Sequence, residues 1–79
     1  MTHELKVWIE FFPAIFERDK TFELRKNDRK FKVGDELFLR EWNPKKNEYT
    51  GNFCYRNVDY ILNGGQFGLQ EGFVIMSIS

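Results

Sequence analysis

The chain has 79 residues, with twelve basic and twelve acidic side chains and a formal net charge of zero. That length supports one small domain, residues 1–79, and a neutral molecule has no long-range field to steer it onto nucleic acid. A single cysteine, Cys54, excludes an intrachain disulfide, and a single histidine, His3, leaves no zinc ligand set. We therefore expect no metal and no cofactor, and a core held by burial, to which nine Phe, three Tyr and two Trp residues can contribute large apolar areas.

The chain carries no sequence signal for a membrane or for export. No apolar run approaches the roughly 18 residues that cross a bilayer, and the first residues lack the layout of a signal peptide. We expect a cytoplasmic protein that contacts no membrane. Its oligomeric state is left open by the sequence, and a monomer is assumed.

The first two predicted elements are a strand and a short helix. Polar and apolar residues alternate from Glu4 to Trp8, which indicates a strand. The apolar residues between Phe11 and Phe16 follow helical spacing, and Pro13 is tolerated only near the start of a helix. No glycine follows this helix, so we expect a non-glycine residue to adopt a left-handed conformation at its end.

Four further strands complete the predicted domain. They are Thr21–Lys26, Leu37–Trp42, Phe53–Leu62 and Phe73–Ile78. The polar loop from Asn43 to Asn47 should join the third and fourth strands as an antiparallel pair. These elements predict a mostly β, α+β domain: a small antiparallel sheet or β-barrel of about five strands, with one short helix between strands 1 and 2.

The alternation of the second strand assigns its two faces. Phe22 and Leu24 share the face that we expect in the core, and Glu23 and Arg25 share the other. Truncation of Phe22 to alanine is then expected to prevent stable folding. The predicted core consists of Phe12, Phe16, Phe22, Leu24, Val33, Leu37, Leu39, Val58, Tyr60, Val74, Met76 and Ile78.

The stretch from Lys20 to Arg29 concentrates the chemistry of the chain. Between Arg18 and Lys32, seven basic residues stand against three acidic ones, a local excess of four. Guanidinium and ammonium groups suit phosphates, although an ordinary solvated charged surface has the same composition. The predicted nucleotide- or nucleic-acid-binding side chains in this stretch are Lys20, Glu23, Arg25, Lys26 and Arg29.

A glycine-rich segment is the second candidate for ligand binding. Residues 64–68 contain three glycines, and such a loop either turns backbone N–H groups toward an anion or simply satisfies tight turns. We predict that Gly64, Gly65 and Gln66 lie beside Lys20, Glu23 and Arg25 at the mouth of a cleft. Replacement of Arg25 by alanine is then expected to abolish ligand binding and to leave the Tm nearly unchanged.

Six segments carry a resemblance to a known family. They are Lys20–Arg29, Phe31-x-Val33-Gly34-Asp35, Leu39–Trp42, Tyr60–Leu62, Gly64–Leu69 and Val74–Ile78. In this order they resemble the DUF3850 family of small bacterial and phage proteins, which is grouped with the ASCH domains and their PUA-like fold. The ASCH hallmark of glycine, lysine, glutamate and arginine falls at Arg18, Lys20, Glu23 and Arg25, so Arg18 replaces the glycine. The resemblance implies a PUA-like barrel, with RNA or a nucleotide as ligand.

Three functions remain open, and an RNA- or nucleotide-binding module is favoured over an enzyme. Its cations would hold phosphates, and Trp42, Tyr49 and Tyr55 are candidates for stacking on unpaired or modified bases. The resemblance to ASCH amidohydrolases that act on acylated cytidine implies an enzyme as the alternative. Lys20 and Glu23 are then the acid–base candidates, although Glu23 stands where those enzymes carry threonine. A protein-interaction domain is the third hypothesis.

Overall fold

The computed structural model describes residues 1–79 as five strands and one short helix. The elements are β1 (Thr2–Trp8), α1 (Phe12–Phe16), β2 (Phe22–Lys26), β3 (Glu36–Asn43), β4 (Glu48–Asn63) and β5 (Phe73–Ile78). The predicted mostly β composition, the number of strands and the helix between the first two strands are confirmed. No helical segment has the length and apolar character needed to cross a bilayer.

All five strands belong to one mixed sheet in the order β1-β3-β4-β5-β2. β3 and β4 pair antiparallel as predicted, as do β4 with β5 and β5 with β2. β1 and β3 are parallel, which was not predicted, and the long connection through α1 and β2 permits this crossover. β1 and β2 are the two edges of the sheet, so the sheet is not closed into a barrel.

β4 connects the two halves of the sheet. Its first part pairs with β3 and its last part with β5. The register shifts between Arg40 and Trp42 on β3, opposite Thr50–Asn52, and again between Val58 and Tyr60 on β4. Because bulges bend a strand and increase its twist, one strand of 16 residues can turn from one half to the other.

The core confirms part of the predicted set. Its twelve buried apolar residues are Leu5, Val7, Phe12, Ile15, Phe31, Leu37, Leu39, Cys54, Val58, Val74, Met76 and Ile78. Five predicted members are wrong, with exposed fractions between 47% and 66%: Phe16, Phe22, Leu24, Val33 and Tyr60. Most of these lie on edge strands, helix ends or loops, where no second layer covers an apolar side chain.

The orientation of β2 is the largest correction. Glu23 is only 3% exposed, whereas Phe22 and Leu24 are about half exposed, so the strand turns the opposite face inward. The buried carboxylate is tolerated because both of its oxygens accept hydrogen bonds from cations. Replacing Phe22 by alanine therefore removes no core side chain, and we now expect this variant to fold.

The end of α1 is held by two features. Arg18 follows the helix with a φ of 65°, which confirms the expected left-handed non-glycine residue. The buried Arg56 guanidinium on β4 donates from Nη2 to the carbonyl oxygens of Ile15, at 3.1 Å, and Phe16, at 3.4 Å. Because the last carbonyls of a helix lack partners within it, Arg56 anchors α1 to the sheet. The chain then runs from this anchored end directly into Lys20 and β2.

Candidate functional site

A cavity of about 470 Å³ lies between the two unpaired edges of the sheet. Eight residues line this cavity, which we term the edge cleft: Val7, Trp8, Phe11, Lys20, Phe22, Glu23, Leu24 and Arg25. They come from the end of β1, from Phe11 just before α1, from Lys20, and from the first four residues of β2. Cavities of about 300 to 1,000 Å³ are typical of small-molecule sites.

Glu23 is the charged centre of the edge cleft. Its Oε1 accepts a hydrogen bond from Lys20 Nζ at 3.2 Å, and its Oε2 accepts one from Arg25 Nε at 2.7 Å. Alternation along β2 places Glu23 and Arg25 on one face, and Lys20 just precedes the strand. The structure thus brings these three predicted residues together, and two cations around one carboxylate leave a formal charge of +1.

Arg25 also joins the two edges of the sheet. Its Nη2 donates to the carbonyl oxygen of Lys6 on β1 at 2.6 Å, while its Nη1 has no partner in the chain. Lys20 Nζ donates to the carbonyl oxygen of Phe22 at 2.9 Å, which leaves one of its three N–H groups for a ligand. Arg25 is therefore also a structural cross-link, so we now expect its removal to lower the Tm.

Aromatic side chains form the walls of the edge cleft. The rings of Trp8, Phe11 and Phe22 are each nearly half exposed, and Lys20 Nζ lies 4.5 Å from the centre of the Phe22 ring. Trp8 and Phe11 were not predicted as site residues. Trp8 stands on the polar face of β1 with Lys6, and a large ring among polar residues is the signal that could have identified it.

Lys26 and Arg29 lie outside the edge cleft. Lys26 ends β2 opposite Phe73 and is exposed. Arg29 lies in the following turn, and its Nη1 donates to the carbonyl oxygen of Glu4 on β1 at 2.6 Å. These two predicted binding residues are thus separate from the Lys20–Glu23–Arg25 group.

The glycine-rich loop does not line the edge cleft either. The backbone N–H groups of Gly64 and Gly65 donate to the carbonyl oxygens of Phe73 and Leu69, each at 2.8 Å, so they do not face an anion. The Gln66 side-chain amide donates to the carbonyl oxygen of Asn63. Gly64, Gly65 and Gln66 therefore do not line the cleft with the charged group as predicted, and their donors are used by nearby carbonyl oxygens, including that of Phe73 on β5.

The predicted stacking residues are on the outer face of β3 and β4. Lys6 Nζ lies 3.8 Å from the Trp42 ring centre, and the Arg40 guanidinium lies 3.6 Å from that of Tyr49. The Tyr55 ring stacks on Phe38 with centroids 4.8 Å apart. These rings pack against side chains of their own chain and do not line the edge cleft.

The fold and the cleft together define a small, mostly β domain with a charged, aromatic-walled cleft between its sheet edges. Residues 2–78 match the family described as "Domain of unknown function (DUF3850)", and the chain belongs to this family. It is also similar to the "Uncharacterized 12.9 kDa protein in GpA 3'region" of Escherichia phage P2, with 42% identity over 40 residues. That match covers 51% of the chain and 37% of the phage protein, so the chain spans well under half of this relative's length.

Proposed function

We propose that the edge cleft binds a nucleotide or a single-stranded segment of RNA. The observation that supports this function is the presence in one cavity of half-exposed rings and two cations. A base would stack on Trp8, Phe11 or Phe22, and a phosphate would accept hydrogen bonds from Lys20 Nζ and Arg25 Nη1. Since the whole chain is neutral, recognition would depend on the cleft itself and not on a basic surface.

Glu23 gives the proposed site a group that accepts hydrogen bonds. Each carboxylate oxygen accepts one hydrogen bond from the chain and has a second lone pair. A ribose hydroxyl or an exocyclic amine of a base would be a suitable donor for it. A longer RNA segment would continue along β2 toward the exposed Lys26, with Arg29 in the turn beyond.

We infer that the domain is an opened form of the PUA-like barrel that the family resemblance implies. Two short contacts support this inference, because Arg25 and Arg29 each donate to a β1 carbonyl oxygen at 2.6 Å across the gap between the edges. Side-chain donors would thus replace the backbone hydrogen bonds of a closed barrel, and the gap would form the cleft.

An amidohydrolase at the same site is the competing function. The two acid–base candidates are paired with each other, because Lys20 Nζ donates to Glu23 Oε1 at 3.2 Å, and Glu23 Oε2 accepts from Arg25. Position 23 also lacks the hydroxyl that the resembled enzymes carry. These contacts favour binding without turnover.

Tryptophan fluorescence provides a direct test of binding. In a Trp42→Phe variant, Trp8 is the only tryptophan and lies in the wall of the edge cleft. Titration with nucleoside monophosphates and short single-stranded RNA is expected to quench its emission, because a stacked base changes the surroundings of the indole. If none of these ligands changes the emission of the folded variant, the proposal is wrong.

Two phenylalanines form a matched pair for locating the ligand. Phe22, in the edge cleft, is 47% exposed, and Phe53, outside it, is 52% exposed. Phe22→Ala is expected to weaken binding about tenfold or more, since stacking on an aromatic ring contributes roughly 1 to 3 kcal/mol per base. Phe53→Ala should bind like the parent. Equal losses in both variants would contradict the site, and conversion of an acylated cytidine by the parent would identify an enzyme.

A further inference from the structure

A second cavity, of about 280 Å³, lies between α1 and the β3–β4 bulge. We term it the helix cavity, and it is lined by Phe12, Pro13, Phe16, Glu17, Glu41, Asn52 and Phe53. It shares no lining residue with the edge cleft. Its volume suits a single side chain or a small amine better than a nucleotide.

Glu41 is the polar group at the base of the helix cavity. It is 8% exposed, and its Oε1 accepts hydrogen bonds from Thr50 Oγ1 at 2.7 Å and Asn52 Nδ2 at 3.0 Å. Its Oε2 accepts no hydrogen bond from the chain, and no lysine, arginine or histidine pairs with the carboxylate. Buried carboxylates are normally paired with a cation, so this one lacks its usual partner.

Glu41 differs from Glu23 in the donors that its carboxylate receives. Glu23 is buried to a similar degree, and each of its oxygens accepts a hydrogen bond from a cation. Glu41 has neutral donors on one oxygen and leaves the other available. The chain therefore pairs Glu23 with two cations and Glu41 with none.

The backbone around Glu41 positions its side chain toward the cavity. Glu41 lies where the β3–β4 register shifts, so that Thr50, Gly51 and Asn52 lie opposite a single residue. Gly51 has a φ of 99°, a conformation that glycine adopts readily. Bulges of this kind redirect side chains, and here the bulged residues also supply both donors to Glu41 Oε1.

The walls of the helix cavity suit an apolar stem that carries a positive charge. Phe16 is about half exposed, and Phe12 is buried behind it with the two ring centres 6.1 Å apart. Phe53 also lines the cavity, although its ring packs edge-on against Phe38 on the outer face of the sheet, with centroids 5.4 Å apart. The second carboxylate, of Glu17, also lines the cavity and is exposed. Aromatic faces attract cations and pack against methylene groups, and both carboxylates add to this attraction.

We propose that the helix cavity binds an ammonium or guanidinium group carried on a short aliphatic chain. The cation pairs with Glu41 Oε2, and its methylene stem packs against the Phe16 ring. This chemistry belongs to a lysine or arginine side chain of a partner protein and to a free polyamine. The site is independent of the nucleotide proposed for the edge cleft.

Amide NMR spectra of the full chain test this proposal with three probes. N-acetyl-lysine methylamide and putrescine carry the cation, and N-acetyl-norleucine methylamide is a neutral molecule of similar shape. The two cationic probes are expected to shift the backbone signals of Glu17 and Phe53 and the side-chain amide of Asn52. Tighter binding of the lysine derivative indicates a protein partner, and tighter binding of putrescine indicates a free polyamine. No shift with either cation, or equal shifts with the neutral probe, would overturn the proposal.

Two variants locate the cation. Glu41→Gln keeps the shape of the side chain and is expected to weaken cation binding about tenfold or more, as for a hydrogen bond to a charged group. Phe16→Ala removes a half-exposed ring from the cavity and should weaken binding several-fold even if Glu41→Gln fails to fold. Phe22→Ala, in the edge cleft, should bind like the parent. Unchanged affinity in a folded Glu41→Gln variant, or in Phe16→Ala, would show that the cation binds elsewhere.

Discussion

Three carboxylates are buried in this small domain, and each receives a different set of donors. Glu23 is paired with two cations, and Glu41 accepts from a hydroxyl and an amide. Asp35 Oδ2 lies 2.8 Å from His3 Nε2 and also accepts from the backbone N–H of Lys32. Because acidic residues are usually exposed, residue type alone does not predict that these three side chains are buried. The donors to Glu23 are close in sequence, whereas those to Glu41 come from another strand and His3 reaches Asp35 across 32 residues.

The His3–Asp35 contact predicts a pH dependence of stability. The hydrogen bond from His3 holds the pKa of Asp35 below its ordinary value, against the opposing effect of burial. A carboxyl group whose pKa is lower in the folded state stabilises that state above the pKa of the unfolded chain. This contribution is lost as the pH falls below about 4 and through the folded-state pKa. Urea unfolding measured from neutral to acidic pH should show the loss.

Two asparagine variants separate this effect from general acid sensitivity. Asp35→Asn should be less stable than the parent near neutral pH, and the difference should shrink as the pH falls. Asp28→Asn is the control, because Asp28 is exposed and its side chain makes no hydrogen bond. A difference between the parent and Asp35→Asn that stays constant down to the most acidic pH would contradict the assigned role of Asp35.

At the scale of the element, α1 is stable only in its tertiary context. It has five residues, and isolated helices shorter than about 12 residues are marginal in water. No side chain caps its first turn. Two buried side chains, Phe12 and Ile15, and the Arg56 guanidinium at its last carbonyls hold it against the sheet. The position of this short helix matters because its residues line the helix cavity and its end leads to Lys20.

The left-handed residue after α1 predicts a stabilising substitution. Arg18→Gly should raise the free energy of unfolding by about 0.5 to 1 kcal/mol, because a side chain at positive φ costs roughly 1 to 2 kcal/mol and glycine loses part of that gain through its flexibility. Glu17→Gly is the matched control, because Glu17 has a φ of −79° and glycine relieves no strain there. We expect this variant to be less stable than the parent by about 0.5 to 1 kcal/mol. Urea unfolding measures both. Destabilisation of similar size in both variants would mean that Arg18 contributes more through its charge than it loses through its backbone.

At the scale of the molecule, the two edges of the sheet are joined by side chains. Arg25 and Arg29 reach across from β2 and the following turn to carbonyl oxygens of β1. The edge cleft lies in the gap between these strands. The same arginine that contributes a charge to the cleft therefore helps to hold the domain together.

The two arginines should differ in their effect on stability. Arg25→Ala removes a hydrogen bond to β1 and one of two cations from the buried Glu23, so we expect a loss of about 2 to 3 kcal/mol. Arg29→Ala removes one exposed hydrogen bond and should cost about 1 kcal/mol or less. Urea unfolding of the two variants makes the comparison. Equal losses would indicate that the Glu23 pairing contributes no net stability.

Local patterns in the sequence determined the elements and several of their details. Alternation placed Glu23 and Arg25 on one face of β2, the bounds of β5 were predicted as observed, and Pro13 lies at the start of α1. The left-handed residue at the helix end also followed from the sequence, because chain geometry there depends on neighbours along the chain.

The tertiary structure decided which faces are buried and which residues meet. The period of β2 is the same whichever face turns inward, and pairing of Glu23 with two cations made burial of the charged face possible. The parallel β1–β3 pair brought Trp8 to the gap opposite Phe22, and the β3–β4 bulge left Glu41 facing the helix cavity. The strand pairing and the bulge depend on contacts between residues far apart in the chain, so the free energy that selects them is absent from any local pattern.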